Sequence, residues 1–137
     1  MNAQEIITLQ QSFSQVEPIA DTAASLFYVR LFELDPSLRP LFKADLKAQG
    51  DKLMSALKFV VVGLDNPERI IPAVQSLGQR HAGYGVCPEH YATVGEALLW
   101  TLEKGLGNAY TPEVESAWSN AFTLLSGLMQ EAAYQHA

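Results

Sequence analysis

One cysteine, Cys87, occurs in 137 residues. That excludes an internal disulfide and any zinc or iron–sulfur site built on cysteine pairs. Basic residues are also few, with nine Lys plus Arg against fifteen Asp plus Glu and a net charge of −6. A domain that grips several phosphates carries a basic patch. These nine are scattered, so neither nucleic acid nor an anionic membrane surface is expected as a partner. The start, Met1-Asn2-Ala3-Gln4-Glu5, lacks the basic and apolar parts of a signal peptide. The most apolar run, Phe59-Val60-Val61-Val62-Gly63-Leu64, is far short of the roughly 20 residues that cross a bilayer. A cytoplasmic protein without membrane insertion is the expectation. Also missing are a Gly-rich phosphate loop, a nucleophile elbow and a His-Glu-x-x-His zinc motif. Chemistry by side chains alone is therefore a poor expectation, and any reaction would need a cofactor.

What is present is apolar and helical. Hydrophobic residues make up 48% and charged residues 18%, enough to build a core in one domain spanning residues 1–137. Ile6, Leu9, Phe13 and Val16 recur at helical spacing, and Pro18 interrupts them. Ala24, Phe27, Tyr28, Leu31 and Phe32 give the next helix, to about Leu34, a broad face suited to burial on several sides. Asp35-Pro36 opens a short turn of helix that ends near Leu41-Phe42. Residues 43–49 carry no period and are expected to form a loop. From about Gly50, the positions Leu53, Leu57, Val60, Val61 and Leu64 define another helix. Flanking leucines favour this over a strand at Val60-Val61-Val62. Pro67 opens a helix that runs to about His81. A further helix covers about Pro88 to Leu106, with Tyr91, Val94, Leu98, Leu99 and Leu102 inward. Thr111-Pro112-Glu113 is a capped start for a last helix of roughly 33 Å. The expectation is an all-α fold of six substantial helices plus a short third one.

Three histidines are candidates. His136 lies at the end and reads as solvated, and His90 reads as a surface residue early in a helix. His81 closes an apolar helix just before Gly83 and Gly85, so its ring can project inward, although a core or surface histidine without function fits the same position. Tyr28 sits on an otherwise apolar helix. A buried hydroxyl needs a partner or costs about 1–3 kcal/mol, and in a cavity it can donate to a ligand. Alternatively its ring fills the core while the hydroxyl meets water. Gln49, one turn before Leu53, can equally be a surface residue.

Several stretches then resemble the globin family along essentially the whole chain. Phe27-Tyr28, Arg39-Pro40-Leu41-Phe42, Leu77-Gly78-x-x-His81, Tyr91-x-x-Val94-Gly95 and Ala117-Trp118 are similar to bacterial single-domain haemoglobins and to flavohaemoglobin haem domains. Lys52-Leu53-Met54, Gly63-Leu64-Asp65-Asn66 and His81-x-x-Tyr84-Gly85-Val86 resemble, more closely still, the neuroglobin-like globins of thermoacidophilic methane-oxidising bacteria.

The resemblance implies a three-over-three globin fold around haem b, with His81 as the proximal iron ligand. It makes Phe42 the aromatic against the haem face, Tyr28 and Gln49 the distal groups, and Leu53 a residue over the iron. Phe27, Leu57, Leu77, Val94 and Leu98 complete an apolar slot, and Lys52 meets a haem propionate. One fixed imidazole leaves the sixth iron position open. Bound O2 accepts hydrogen bonds strongly, so two donors at Tyr28 and Gln49 favour O2 over CO and slow its release. Tyr91 matches the tyrosine that supports the proximal histidine in bacterial relatives. Their supporting glutamate falls at Ala133, and Glu131 lies about 200° away round the helix. Loss of that carboxylate reduces imidazolate character at His81 and weakens the expectation of peroxidase-like chemistry. No reductase domain is expected after residue 137, so NO dioxygenation to nitrate would require an external reductase. Cys87 reads as a small buried or half-buried residue.

The resemblance thus implies reversible O2 binding, with NO and CO as further ligands. The alternatives are a haem gas or redox sensor acting through a partner, and a haem-free globin-like domain. Leu125, Leu128 and Met129 can face either the core or a partner, which leaves a monomer or a weak homodimer.

Overall fold

Side-chain caps and close helix crossings at glycine set the frame of the protein. The computed structural model describes residues 2–42 and 45–134; His136 and positions 43 and 44 of the expected loop lie outside them. Helix α1, Ala3–Val16, is capped by Asn2, whose Oδ1 accepts the Glu5 N–H at 2.8 Å, and it buries Leu9, Phe13 and Val16. A 3-10 turn at Glu17–Ile19 contains Pro18 and leads into α2, Ala20–Leu34. The segment Pro36–Leu41 is a 3-10 helix, begun by Asp35 accepting the Ser37 N–H at 3.1 Å. Pro40 explains why it is not α-helical. Its ring would clash with the carbonyl four residues earlier, and it has no N–H to donate.

Helix α3 is Leu46–Gly63. It therefore begins inside the stretch 43–49 expected as a loop, with the Gln49 N–H donating to the Asp45 carbonyl at 3.0 Å. Val60-Val61-Val62 is helical, as the flanking leucines predict. Helix α4, Pro67–Gly83, continues two residues past His81, and α5 covers His90–Leu106. The α5 start at Pro88 is displaced to His90 because a hydrogen-bonded turn comes first: His90 Nδ1 accepts the Cys87 N–H at 2.9 Å and the His90 N–H returns to the Cys87 carbonyl at 3.0 Å. Gly107, at φ +55°, ends α5, in the left-handed region that glycine enters without strain. Helix α6, Pro112–Tyr134, starts where predicted, with Thr111 Oγ1 accepting the Val114 N–H at 3.2 Å. The result is an all-α globin fold of six main helices, with no strand among the described residues.

Helix α4 lies on α6, α2 lies on α5 and α3, and α1 spans α3 and α6. Two glycines permit the close crossings. A Cβ at Gly50 would stand 2.9 Å from the Ala24 Cβ, and one at Gly78 would stand 2.3 Å from the Met129 carbonyl oxygen. The glycine that weakens α3 by local propensity is thus what lets α2 and α3 touch. Trp118 Nε1 donates to the buried Ser12 hydroxyl at 2.8 Å, joining α1 to α6 through a satisfied polar pair. Met129 is buried, and Leu125 and Leu128 pack beside it, so this set faces the core. No described helix is long and apolar enough to cross a membrane.

Candidate functional site

Buried apolar residues form two clusters. The larger draws on all six helices, with Ile70 from α4, and includes Tyr28, with Phe42, Leu53, Leu57 and Val94 packed against it and Leu98 within it. The smaller joins α4, α5 and α6 through Val74, Tyr91 and Met129, with Leu77 and Val86 against it. Val60 of α3 packs against both. The predicted slot residues are thus divided between two walls: Phe27, Phe42, Leu53, Leu57, Val94 and Leu98 on one, Leu77 and Tyr91 on the other.

On the α4 wall, His81 is half-buried in the last turn, and its Nδ1 lies 2.8 Å from the Leu77 carbonyl oxygen. A carbonyl only accepts, so Nδ1 carries a proton, and in the neutral ring Nε2 keeps its lone pair. A helix-end imidazole with one nitrogen tied to the backbone and the other free is the form that ligates a metal. The His81 carbonyl accepts N–H groups from both Tyr84 and Val86 at 3.1 Å. Tyr91 is 6% exposed, and its hydroxyl is buried without a hydrogen-bond partner. Burial, with a smaller contribution from Tyr134, pushes the Tyr91 pKa up to about 12. Glu131 is exposed and Ala133 half-buried, so neither brings a carboxylate to Tyr91.

On the α2 wall, Tyr28 is 5% exposed and sits in an aromatic cage. Phe27 and Phe42 meet it edge-on at 5.2 and 5.4 Å, and Phe32 stacks at 6.1 Å. Such geometries suit ring quadrupoles. Burial alone raises its pKa to about 12, so the phenol stays a protonated donor across the neutral range. Gly50 abuts this ring, since a Cβ there would stand 4.0 Å from Tyr28 Cε2. That contact brings the start of α3, with half-buried Gln49, alongside α2. Lys52 is exposed one turn further on, and Leu53 and Leu57 are half-buried. Behind Leu53 and Leu57, an apolar cavity of about 20 Å³ is also lined by Phe27, Leu98 and Trp118. It is far too small for a porphyrin and does not reach His81.

His90, expected at the surface, is half-buried and accepts the Cys87 N–H in the turn before α5, whereas Cys87 is half-buried, within its expected range. Tyr134, which sequence reasoning missed, donates its hydroxyl to the Val86 carbonyl. Only the tertiary placement of the α6 end beside the turn after His81 creates that bond, and no local pattern signals it.

A helix-end imidazole bonded to the backbone through Nδ1 and a caged phenol on a second helix, within a six-helix all-α frame, are features expected of a globin-type site. The globin family matches residues 25–129 of the chain. The chain is 34% identical over 113 residues to the flavohemoprotein of Xylella fastidiosa strain 9a5c, covering 80% of this chain and 28% of that protein. The flavohemoprotein of Bacillus subtilis is 33% identical over 109 residues, with 77% of this chain and 27% of that protein covered. The chain therefore spans little more than a quarter of these relatives. An engineered carbene transferase from Rhodothermus marinus superposes with a TM-score of 0.88 at 27% identity, over 98% of this chain and 94% of that one. A hexacoordinated heme protein from an anhydrobiotic tardigrade superposes with a TM-score of 0.87 over 96% and 94% of the two chains. At 17% identity, that likeness speaks for the fold alone. This chain belongs to the globin family and is related to bacterial globins and flavohaemoprotein haem domains. That membership implies haem b and globin-type O2 binding.

Proposed function

We propose that this chain is a single globin domain that holds haem b through His81 Nε2 and binds O2 reversibly. The carrying observation is the His81 Nδ1–Leu77 carbonyl bond, which fixes the tautomer and leaves Nε2 for iron. The residues present fit the group. A porphyrin face is broad and apolar, and Phe42, Leu53, Leu57 and Val94 on one wall with Leu77 on the other are half-buried apolar side chains. Leu98 lies buried behind them. Lys52, exposed on α3, would offer a cation to a haem propionate. The Tyr91 hydroxyl is a buried donor still in need of a partner. When bound, haem supplies an iron centre for O2, NO or CO.

Tyr28 and Gln49 then act as distal donors. Tyr28 is pre-oriented by its aromatic cage, so little rotational freedom is lost when its hydroxyl engages a ligand. Gln49 offers an amide from the first turn of α3. The flavohemoprotein relatives and the Rhodothermus marinus protein, which carries the provisional designation nitric oxide dioxygenase, support NO conversion to nitrate as a further activity. That turnover would draw electrons from a separate reductase. With no carboxylate bonded to Tyr91 among the described residues, the imidazole gains no imidazolate character from that side, which argues for ligand binding over peroxidase-like chemistry. The narrower likeness to neuroglobin-like globins of methane-oxidising bacteria rests on its three sequence stretches.

Haem titration of the purified protein, with ferric, ferrous and oxygenated spectra, tests the reading. Uptake of one haem per chain with a Soret band and a stable O2 complex is expected. Nitrate should then form when NO and a reductant are supplied. Failure to take up haem stoichiometrically would overturn it.

A further inference from the structure

The turn that leaves α4 is weakly held by its own packing. Tyr84 is 68% exposed, and Gly85 at φ +94° makes the reversal. Val86 is what ties this turn back. Its N–H donates to the His81 carbonyl at 3.1 Å, and its own carbonyl accepts the Tyr134 hydroxyl. One residue therefore links the backbone of the candidate ligand to the last residue of α6. Val86 also packs into the cluster of Val74, Tyr91 and Met129, the cluster Leu77 joins. Leu77 in turn supplies the carbonyl that orients the His81 ring. The imidazole is thus fixed from two sides: its ring by Leu77, its backbone by Val86 and, through Val86, by Tyr134.

We propose that Tyr134 is a positioning residue for His81, acting through Val86 to set the orientation of the imidazole toward haem iron. This rests on the haem-binding reading above. It also gives the proximal side a device that suits the residues found there. Ala133 is half-buried and Glu131 faces out, so no carboxylate from α6 reaches the proximal cluster. A neutral phenol one residue further along α6 instead grips backbone. The His81 tether is then a chain of neutral hydrogen bonds, which fixes geometry without pushing the imidazole toward imidazolate.

Tyr134→Phe removes the hydroxyl and keeps the ring. The position is 38% exposed, so the chain should fold unchanged. Two readouts are taken. In the haem-free protein, amide exchange at Val86 should accelerate roughly two- to ten-fold, the consequence of losing one ordinary hydrogen bond. In the haem-loaded ferrous protein, the iron–histidine stretching band in resonance Raman spectra should shift or broaden, and haem should leave for an apo-globin acceptor several-fold faster. Faster exchange with an unchanged band and unchanged haem loss would make the bond merely structural and overturn the proposal. Unchanged exchange would overturn it as well. Failure of the unsubstituted protein to bind haem is a separate result that defeats the haem-binding reading itself and this role with it.

Discussion

On α4, position is set by hydrogen bonds and backbone contact; on α2 it is set by ring packing. His81 is tied through its ring to Leu77 and through its carbonyl to Tyr84 and Val86, and α4 crosses α6 at Gly78 against the Met129 backbone. Tyr28 is steered by the edges of Phe27 and Phe42 and the face of Phe32, and α2 crosses α3 at Gly50 against the Ala24 side chain. Directional bonds on the helix proposed to bear the ligand resist displacement, whereas an aromatic cage holds a phenol ring and leaves its hydroxyl to be engaged. A site that keeps a metal ligand fixed and a gas ligand exchangeable calls for that difference.

Two paired substitutions sharpen the contrast, beginning with the larger effect. Gly78→Ala should destabilise the haem-free protein by about 2–3 kcal/mol, because the added methyl meets a backbone carbonyl that cannot rotate away. Gly50→Ala meets one side-chain methyl and regains some helix propensity, so its cost should be about 1 kcal/mol. Urea unfolding measures both, and equal losses would break the asymmetry. The second pair is smaller. Tyr28→Phe should raise the O2 dissociation rate about ten-fold or more, since a hydrogen bond to a partly charged acceptor is worth roughly 1.5–3 kcal/mol. Tyr91→Phe on the opposite wall should leave that rate within about two-fold while removing an unpartnered buried hydroxyl. Stopped-flow O2 release distinguishes the two walls, and a Tyr28→Phe rate equal to the unsubstituted one would remove the distal donor from the account.

The helices were largely legible because their cores follow a 3.6-residue period. Leu9, Phe13 and Val16 of α1 and Val114, Trp118 and Met129 of α6 are buried as that spacing predicts. Thr111 caps α6 because a hydroxyl before proline satisfies a free N–H whatever surrounds it. The beginning of α3 was not legible. Lys47 and Ala48 are exposed and give no apolar period, and Gly50 looks like a breaker until α2 is seen against it. At the candidate site, the place of His81 near a helix end before two glycines was legible, whereas its role as a ligand came only from the family resemblance. The Leu77 carbonyl that orients it lies one turn back on the same helix and comes with that assignment. The Tyr134–Val86 bond joins residues 48 apart in sequence, and nothing local to either residue announces it.

The central claim is that the His81 imidazole holds the cofactor. Substituting glycine at this one position and titrating haem, with and without free imidazole, tests it most directly. The account predicts that His81→Gly loses most of its haem affinity and the ferrous spectrum of the parent protein, and that added imidazole restores the spectrum. Unaltered affinity and an unaltered ferrous spectrum in the absence of imidazole would contradict it.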